Sequence, residues 1–372
     1  MLNTPSVLVD EGVLMNNIRK YQNMCDTHGK KLFPMLKTHK SLAVAKLQLA
    51  AGAGGFLCGT LDECEALVGI GVENIMYAYP VATEPAISRV LRLSRLCNFF
   101  IRIDGVENGA ILSEAAEKSG DCVNYTIIVN CGLNRFGVAA DKARELADRL
   151  KPMKGLRFAG ISTHPGHVYA ADGADDVPRF ASDEKNAIKT AACALAEAGY
   201  QLDFISSGST PTFKESVADE RINIFHPGNY VFNDVTQVNL GAATLEDCAL
   251  SVLASVVSNP SKGLYIIDAG SKTLGLDKGA HGSDAITGYG LIKGRPEFMV
   301  ASLSEEVGKI VFSKENVSLE ASLRVGDKIE IIPNHACVPA NLTSYLIRCT
   351  GDDVIGVFDV DIRGNSKPVR GF

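Results

Sequence analysis

The residues whose types and spacing could do chemistry fall in a few short stretches. The first is Lys31 to Lys40, KLFPMLKTHK. Five mostly apolar residues, Leu32 to Leu36, give way abruptly to Lys37, Thr38, His39 and Lys40. A short apolar run bounded by polar residues predicts a buried strand, with Lys37 where that strand leaves the core. Partial desolvation there would make its amine a nucleophile toward carbonyls; a surface lysine after a strand is the plainer reading. Ser206-Ser-Gly-Ser-Thr210 follows a predicted strand, and its small residues let backbone N–H groups approach a phosphate, though such loops also serve as simple tight turns. Gly228-Asn229, after the next strand, offers a second set of amides. His164 ends another strand, where it is either a structural hydrogen-bonding residue or a surface for an aromatic cofactor. Arg135, in Cys131-Gly-Leu-Asn-Arg-Phe-Gly137, lies between glycines after a strand. Pro333-Asn-His335-Ala-Cys337 is predicted to end a strand, with imidazole and thiolate on one face. Those two donors suit zinc or a similar ion and leave positions for water and substrate.

The elements that must carry these groups alternate. Ser6 to Val9 predicts a strand, and Asp10 caps a helix whose apolar positions Leu14, Ile18, Tyr21 and Cys25 recur at helical spacing. From Lys31 to Phe225 there follow eight short, continuously apolar strands separated mostly by helical segments. That pattern implies a parallel sheet covered on both sides. Eight units in about 200 residues match a (β/α)8 barrel, whose active sites lie at the C-terminal ends of the strands. Lys37, His164, Ser207 to Thr210 and His226 to Tyr230 all fall at such ends. A doubly wound open sheet is the structural alternative. After Gly241 the texture changes to β segments without long helices. The expected architecture is therefore a TIM-like barrel over 1–241 followed by an all-β domain over 242–372.

Composition narrows the partners. The chain has 372 residues, 46% of them hydrophobic and 22% charged, which is ordinary for a globular enzyme. With a net charge of −6 and no basic stripe, nucleic acid is not an expected partner. No apolar run approaches the roughly 18 residues that span a bilayer. No secretory signal is expected at the N-terminus. Ten irregularly spaced cysteines read as reduced thiols of a cytoplasmic protein.

Together, Lys37-Thr-His-Lys40, Gly208-Ser-Thr-Pro-Thr212, His226-Pro-Gly-Asn-Tyr230, Asp268-Ala-Gly-Ser-Lys272 and Pro333-Asn-His-Ala-Cys337 make the chain resemble, over almost its full length, the metal-assisted fold-type III pyridoxal-phosphate enzymes. These are the D-serine dehydratase and D-threonine aldolase group, related to alanine racemase. The resemblance implies pyridoxal 5'-phosphate attached at Lys37, with Arg135 beside its phenolic oxygen and His164 against its ring. It implies that Gly208, Ser209, Thr210, Gly228 and Asn229 hold the phosphate, with Tyr169 and Tyr230 also at the cofactor. It implies a divalent metal, zinc or manganese, on His335 and Cys337, and a homodimer whose first residues pair with the β domain. The implied reaction acts on a β-hydroxy-D-amino acid. If Lys37 takes the Cα proton the hydroxyl leaves, as in a dehydratase; if a base takes the hydroxyl proton, Cα–Cβ breaks, as in an aldolase. A metal-independent racemase and a non-catalytic pyridoxal-phosphate carrier are the rivals. The chain departs from the family pattern at Phe33-Pro34-Met35, Asn130, Ile224 and Val307.

Overall fold

The structure is a computed structural model describing residues 2–279, 285–313 and 323–363. The end of the expected second domain, 364–372, lies outside those residues.

Strand β1 (Ser6–Asp10) opens the chain. The next eight are β2 (Lys31–Leu32), β3 (Phe56–Cys58), β4 (Asn74–Tyr77), β5 (Asn98–Ile103), β6 (Val123–Ile128), β7 (Leu156–Ser162), β8 (Phe204–Ser207) and β9 (Ile224–Phe225). They form one parallel sheet in the order β2-β9-β8-β7-β6-β5-β4-β3. A parallel bridge between Met35 and Leu57 joins the two ends, so the sheet closes into the expected barrel. Its bore is packed by Phe33, Met76, Phe100, Ala159 and Ile224. The opposite strand faces, such as Ile75, Ile101, Ile127 and Ile161, are buried in the larger cluster that includes helix residues Leu67, Val90 and Leu112. Continuous apolar strands are therefore buried on both faces. Asp10 and Ser41 cap their helices as expected, accepting from Val13 N–H and Val44 N–H.

One expectation is corrected. The predicted strand Leu32–Leu36 is only two residues of ladder, Lys31–Leu32. Pro34 offers no N–H, and the chain continues extended, with Phe33 N–H and Met35 N–H bonded to Phe225 and Pro227 carbonyls. It then tightens into a single turn, Leu36–Thr38, that carries Lys37. The first residues pair with the β domain, as the resemblance implies. β1 lies in the sheet of the second domain, antiparallel to β10 (Leu250–Ser261) and parallel to β16 (Tyr345–Thr350).

That second sheet also holds β11 (Leu264–Ile267), β12 (Leu291–Ile292), β13 (Phe298–Leu303), β14 (Gly308–Phe312), β15 (Lys328–Ile332) and β17 (Asp353–Asp359), in the order β11-β14-β13-β12-β15-β10-β1-β16-β17. The short helix Cys337–Leu342 interrupts it between β15 and β16 and packs on the turn bearing Lys37. Among the described residues no helix is long and apolar enough to cross a membrane.

Candidate active site

The C-terminal ends of the barrel strands and the helix Cys337–Leu342 enclose a cavity of about 190 Å³. Lys37, Arg135, His164, Tyr169, Gly208, Ser209, Thr210, Gly228, Asn229, His335 and Cys337 all line it. Residues separated by up to 300 positions in sequence thus meet at one rim.

Lys37 stands on a backed turn. Gly59 lies beneath it, where an added methyl group would come within 3.3 Å of Lys37 Cβ. Buried Glu63 accepts from Gly59 N–H at 2.7 Å and pairs with Lys40 Nζ at 2.6 Å, tying that floor to the residue closing the turn. From the other side, Asn341 Nδ2 donates to the carbonyls of Lys37 and Thr38, each at 3.3 Å.

The two loops after β8 and β9 form a cradle. Gly208 has φ +146° and touches the backbone of His226 so closely that a Cβ would approach His226 N to 2.7 Å. A Cβ at Gly228 would meet Thr38 Oγ1 at 2.9 Å. Only glycine allows both close approaches. His164 Nδ1 donates to the Gly208 carbonyl at 2.9 Å, bracing the same loop. Tyr230 N–H donates to Thr210 Oγ1 at 3.1 Å, joining the loops. The Tyr230 ring, expected at the cofactor, is instead fully buried behind the cradle. It packs on Tyr21 at 4.5 Å between centroids, and its hydroxyl accepts from Gln48 Nε2 at 2.9 Å. Gln48 also accepts from His39, which burial pushes down to about 4. His39 is therefore neutral, with Nδ1 accepting from Ser41 N–H. Tyr169 does face the cavity, its hydroxyl accepting from Gln237 Nε2 at 3.4 Å.

His335 and Cys337 are not on a strand. β15 ends at Ile332, and Cys337 begins a helix, because Pro333 removes the next N–H and the chain turns toward the barrel. The two side chains nevertheless meet. Burial alone would raise the Cys337 thiol, but the adjacent His335 imidazole, Thr38 and Lys37 outweigh it and hold the thiol below its ordinary value. Burial alone would depress His335, yet Cys337 and Asp234 keep it well above its ordinary value. Cys337 Sγ lies 3.5 Å from Thr38 Oγ1.

Sequence reasoning missed Asp234 and Arg102 as parts of this site, and gave His226 no role beyond its place at a strand end. Asp234 is fully buried and is a hub: Asn229 Nδ2, Gln237 N–H and Ala336 N–H donate to it, and His335 Nδ1 lies 3.3 Å away. Its place before Val235-Thr-Gln, a helix N-cap pattern, was the available signal. Carboxylates in this position orient metal-binding imidazoles. His226 Nδ1 donates to the Phe33 carbonyl at 3.0 Å, leaving Nε2 buried without a partner. Among the described residues no three His, Cys, Asp or Glu side chains gather as a metal cluster.

Comparison with known proteins decides the family. Residues 9–234 match the family model of the alanine racemase N-terminal domain, and 249–348 match that of the putative serine dehydratase domain. The chain belongs to the fold-type III pyridoxal-phosphate enzymes of the D-serine dehydratase and D-threonine aldolase family. Its relatives in that family are lyases. The D-threo-3-hydroxyaspartate dehydratase of Delftia sp. (strain HT23) is 32% identical over 349 residues, covering 90% of this chain and 91% of the dehydratase. The D-serine dehydratase of Dictyostelium discoideum is 30% identical, covering 96% of each. The solved Delftia enzyme superposes with a TM-score of 0.89, at 29% identity over 96% of this chain and 98% of its own. A D-threonine aldolase from Filomicrobium marinum does so at 0.88, with 25% identity, 98% coverage here and 97% there. Solved structures of a D-threo-3-hydroxyaspartate dehydratase include an alanine variant of a histidine and one of a cysteine two residues further on, the latter in a metal-free form.

The cavity fits the family's cofactor. It offers an amine on a backed turn and a glycine cradle, which a Cβ would fill, at the usual phosphate position after the last two barrel strands. One imidazole and one thiol suit a borderline ion and leave coordination positions free.

Proposed function

We propose that this protein is a metal-dependent dehydratase of β-hydroxy-D-amino acids. The observation that carries the reading is the meeting of His335 and Cys337 with the Lys37 turn, which brings a metal-binding pair from the β domain over the amine of the barrel. In this reading Lys37 carries pyridoxal 5'-phosphate. Gly208, Ser209, Thr210, Gly228 and Asn229 hold its phosphate, Arg135 faces its phenolic oxygen and His164 its ring. When bound, the cofactor supplies a sink for the negative charge that develops at Cα. Lys37 is the base at the cavity floor that takes the Cα proton. His335 and Cys337 would hold a divalent zinc or manganese ion, which would supply Lewis acidity at the β-hydroxyl. Asp234 fixes the orientation of His335. The cradle and the helix Cys337–Leu342 exclude bulk water from the reacting carbon.

The aldolase outcome requires a base at the hydroxyl proton rather than at Cα. The family likeness of the His-x-Cys pair and the Delftia relative's activity favour dehydration. We further infer a homodimer by family likeness, and a cytoplasmic setting, supported by ten cysteines that are all free thiols.

The test is incubation of the holoenzyme with D-serine, D-threo-3-hydroxyaspartate and D-threonine, with and without a chelator. A 2-oxo acid and ammonia, lost on chelation and restored by zinc or manganese, are expected. Glycine with an aldehyde would replace the dehydratase by an aldolase; L-enantiomers without a chelator effect would replace it by a racemase.

A further inference from the structure

One buried carboxyl group stands behind the phosphate cradle rather than in the cavity. Glu184 lies on the helix Val177–Glu197 and is fully buried. Its hydrogen-bonding partners are hydroxyls spaced along the chain that follows β8. Ser207 Oγ donates to Glu184 Oε1, and Ser216 Oγ donates to Oε2 at 2.8 Å. The Thr212 hydroxyl is its third hydrogen-bonding neighbour. The carboxyl group thus holds the start, middle and end of the segment that contains Gly208, Ser209 and Thr210. Thr212 Oγ1 in turn lies 3.1 Å from Ser209 Oγ, and Ser209 lines the cavity. A chain of hydroxyls therefore runs from Glu184 through Thr212 to the cradle.

Among the described residues no cation pairs with this carboxyl. Lys185, the charge acting on it from its own helix, directs its Nζ to the Glu215 carbonyl at 3.1 Å. Cys131, on the loop after β6, also faces it, and burial pushes that thiol up to about 12, so it is neutral. Asp148, Arg149, Arg157, Lys214 and Glu215, on elements packed against the helix, are exposed. His167 is turned to Asp183 at 3.5 Å. Burial raises the Glu184 carboxyl above its ordinary value, and the three hydroxyls oppose this only in part.

The direction of the hydrogen bonds decides its protonation state. An ionised carboxylate only accepts, so it would take the protons of Ser207, Ser216 and Thr212. Thr212 Oγ1 would then accept from Ser209. Ser209 would be left with lone pairs alone, beside a phosphate that also offers only lone pairs and in front of a second anion. A neutral carboxyl still accepts from Ser207 and Ser216 but gives its own proton to Thr212. Thr212 then donates to Ser209, and the Ser209 proton is free for the phosphate. Only the neutral acid pairs every donor with an acceptor, and an unpaired buried group is costly.

We propose that Glu184 is a positioning residue for the phosphate cradle. It fixes the loop through Ser207, Thr212 and Ser216 and, as the neutral acid, aims the Thr212 and Ser209 hydroxyl protons toward a bound phosphate group. This deepens the proposed function and rests on its reading of the cradle as a phosphate site.

The test compares the wild type with Glu184→Gln, which keeps the shape and offers an N–H in place of the O–H, and with Glu184→Leu, which removes both. The infrared difference between the wild-type and Glu184→Gln holoenzymes should contain the C=O stretch of a protonated carboxylic acid. A carboxylate band in its place would overturn the proposal. Affinity of the cofactor-free full chain for pyridoxal 5'-phosphate should weaken on the order of 10-fold or more in Glu184→Leu and recover most of that loss in Glu184→Gln. The phosphorus NMR signal of the bound phosphate should move in Glu184→Leu and return in Glu184→Gln. Affinity for pyridoxal, which lacks the phosphate, should change far less. Tighter binding in Glu184→Gln than in the wild type would show an ionised Glu184 and overturn the proposal. Equal losses for pyridoxal and its phosphate in Glu184→Leu would reduce Glu184 to a residue of the fold. If Glu184→Leu does not fold, the infrared band and the Glu184→Gln affinity decide. If the wild type does not bind pyridoxal 5'-phosphate, the cofactor reading fails. Phosphorus NMR titration with inorganic phosphate then decides: binding by the wild type, kept in Glu184→Gln, supports the proposal, and no binding overturns it.

Discussion

The two halves of the site are built by different means. On the barrel side, Lys37, Arg135, His164 and the cradle loops all follow strands of one sheet, and sheet register brings them to a common rim. On the β-domain side, His335 and Cys337 sit between a strand and a short helix. Their position comes from cross-domain contacts: Asp234 to Ala336 N–H at 2.8 Å, Asn341 to the Lys37 and Thr38 carbonyls, and Cys337 to Thr38. The first half is redundant, since many ladder bonds share the load. The second hangs on a few side chains. Cofactor and metal binding should therefore be separable by mutation, and the metal half should yield to smaller changes.

The largest effect is expected at the barrel half. Lys37→Ala should reduce turnover by about 1,000-fold or more and remove the visible absorbance of bound cofactor, with melting temperature and the metal content read by mass spectrometry little changed. If metal is lost as well, the halves are not independent. Next, Cys337→Ala should strip the metal and reduce turnover about 100-fold while the cofactor spectrum persists. Full metal content and turnover in that variant would move the metal site elsewhere.

A finer cut is Asp234→Asn, which keeps the shape but removes the charge that orients His335. Metal affinity, read by competition with a chelator, should weaken on the order of 10-fold, with cofactor affinity changing far less. Comparable losses of both would show that Asp234 supports the cradle through Asn229 as much as it supports His335.

An effect confined to acid conditions concerns the stability of the barrel half. Burial holds His39 at about 4 and His226 well below 6.5, so both are neutral in the folded protein. Below pH 6.5 the unfolded chain binds protons that the folded one refuses. Stability should therefore fall as pH drops from about 6.5 toward 4, by at most about 1.4 kcal/mol per pH unit for each histidine. Urea unfolding across that range should show the decline, and His39→Asn should make it shallower. A flat profile would mean that neither histidine is excluded from protonation.

Particular residues show how far the sequence could be read. The glycines of the cradle and the lysine after an apolar run were legible because backbone approach and strand-end placement are local demands, and barrel topology turns strand ends into one rim. The His335–Cys337 pair was found on a false premise, a strand that Pro333 forbids; the donor types were legible and the helix that presents them was not. Tyr230 is expected at the cofactor together with Gly228 and Asn229, but its ring turns back into the core toward Tyr21 and Gln48. Nothing local in the sequence says that Arg102, inside β5, lacks a counter-ion.

Residue types, spacing and the alternation of strands with helices determined by themselves the barrel, the β domain and the chemical inventory of the rim. These depend on interactions between near neighbours along the chain, on the periodicity of burial and on backbone sterics. Only the tertiary structure decided that Asp234 bridges the two halves and that the guanidinium of Arg102 is buried without a partner. Each of these depends on which distant groups are present or missing at a few ångströms, and that information resides in the packing of the whole chain.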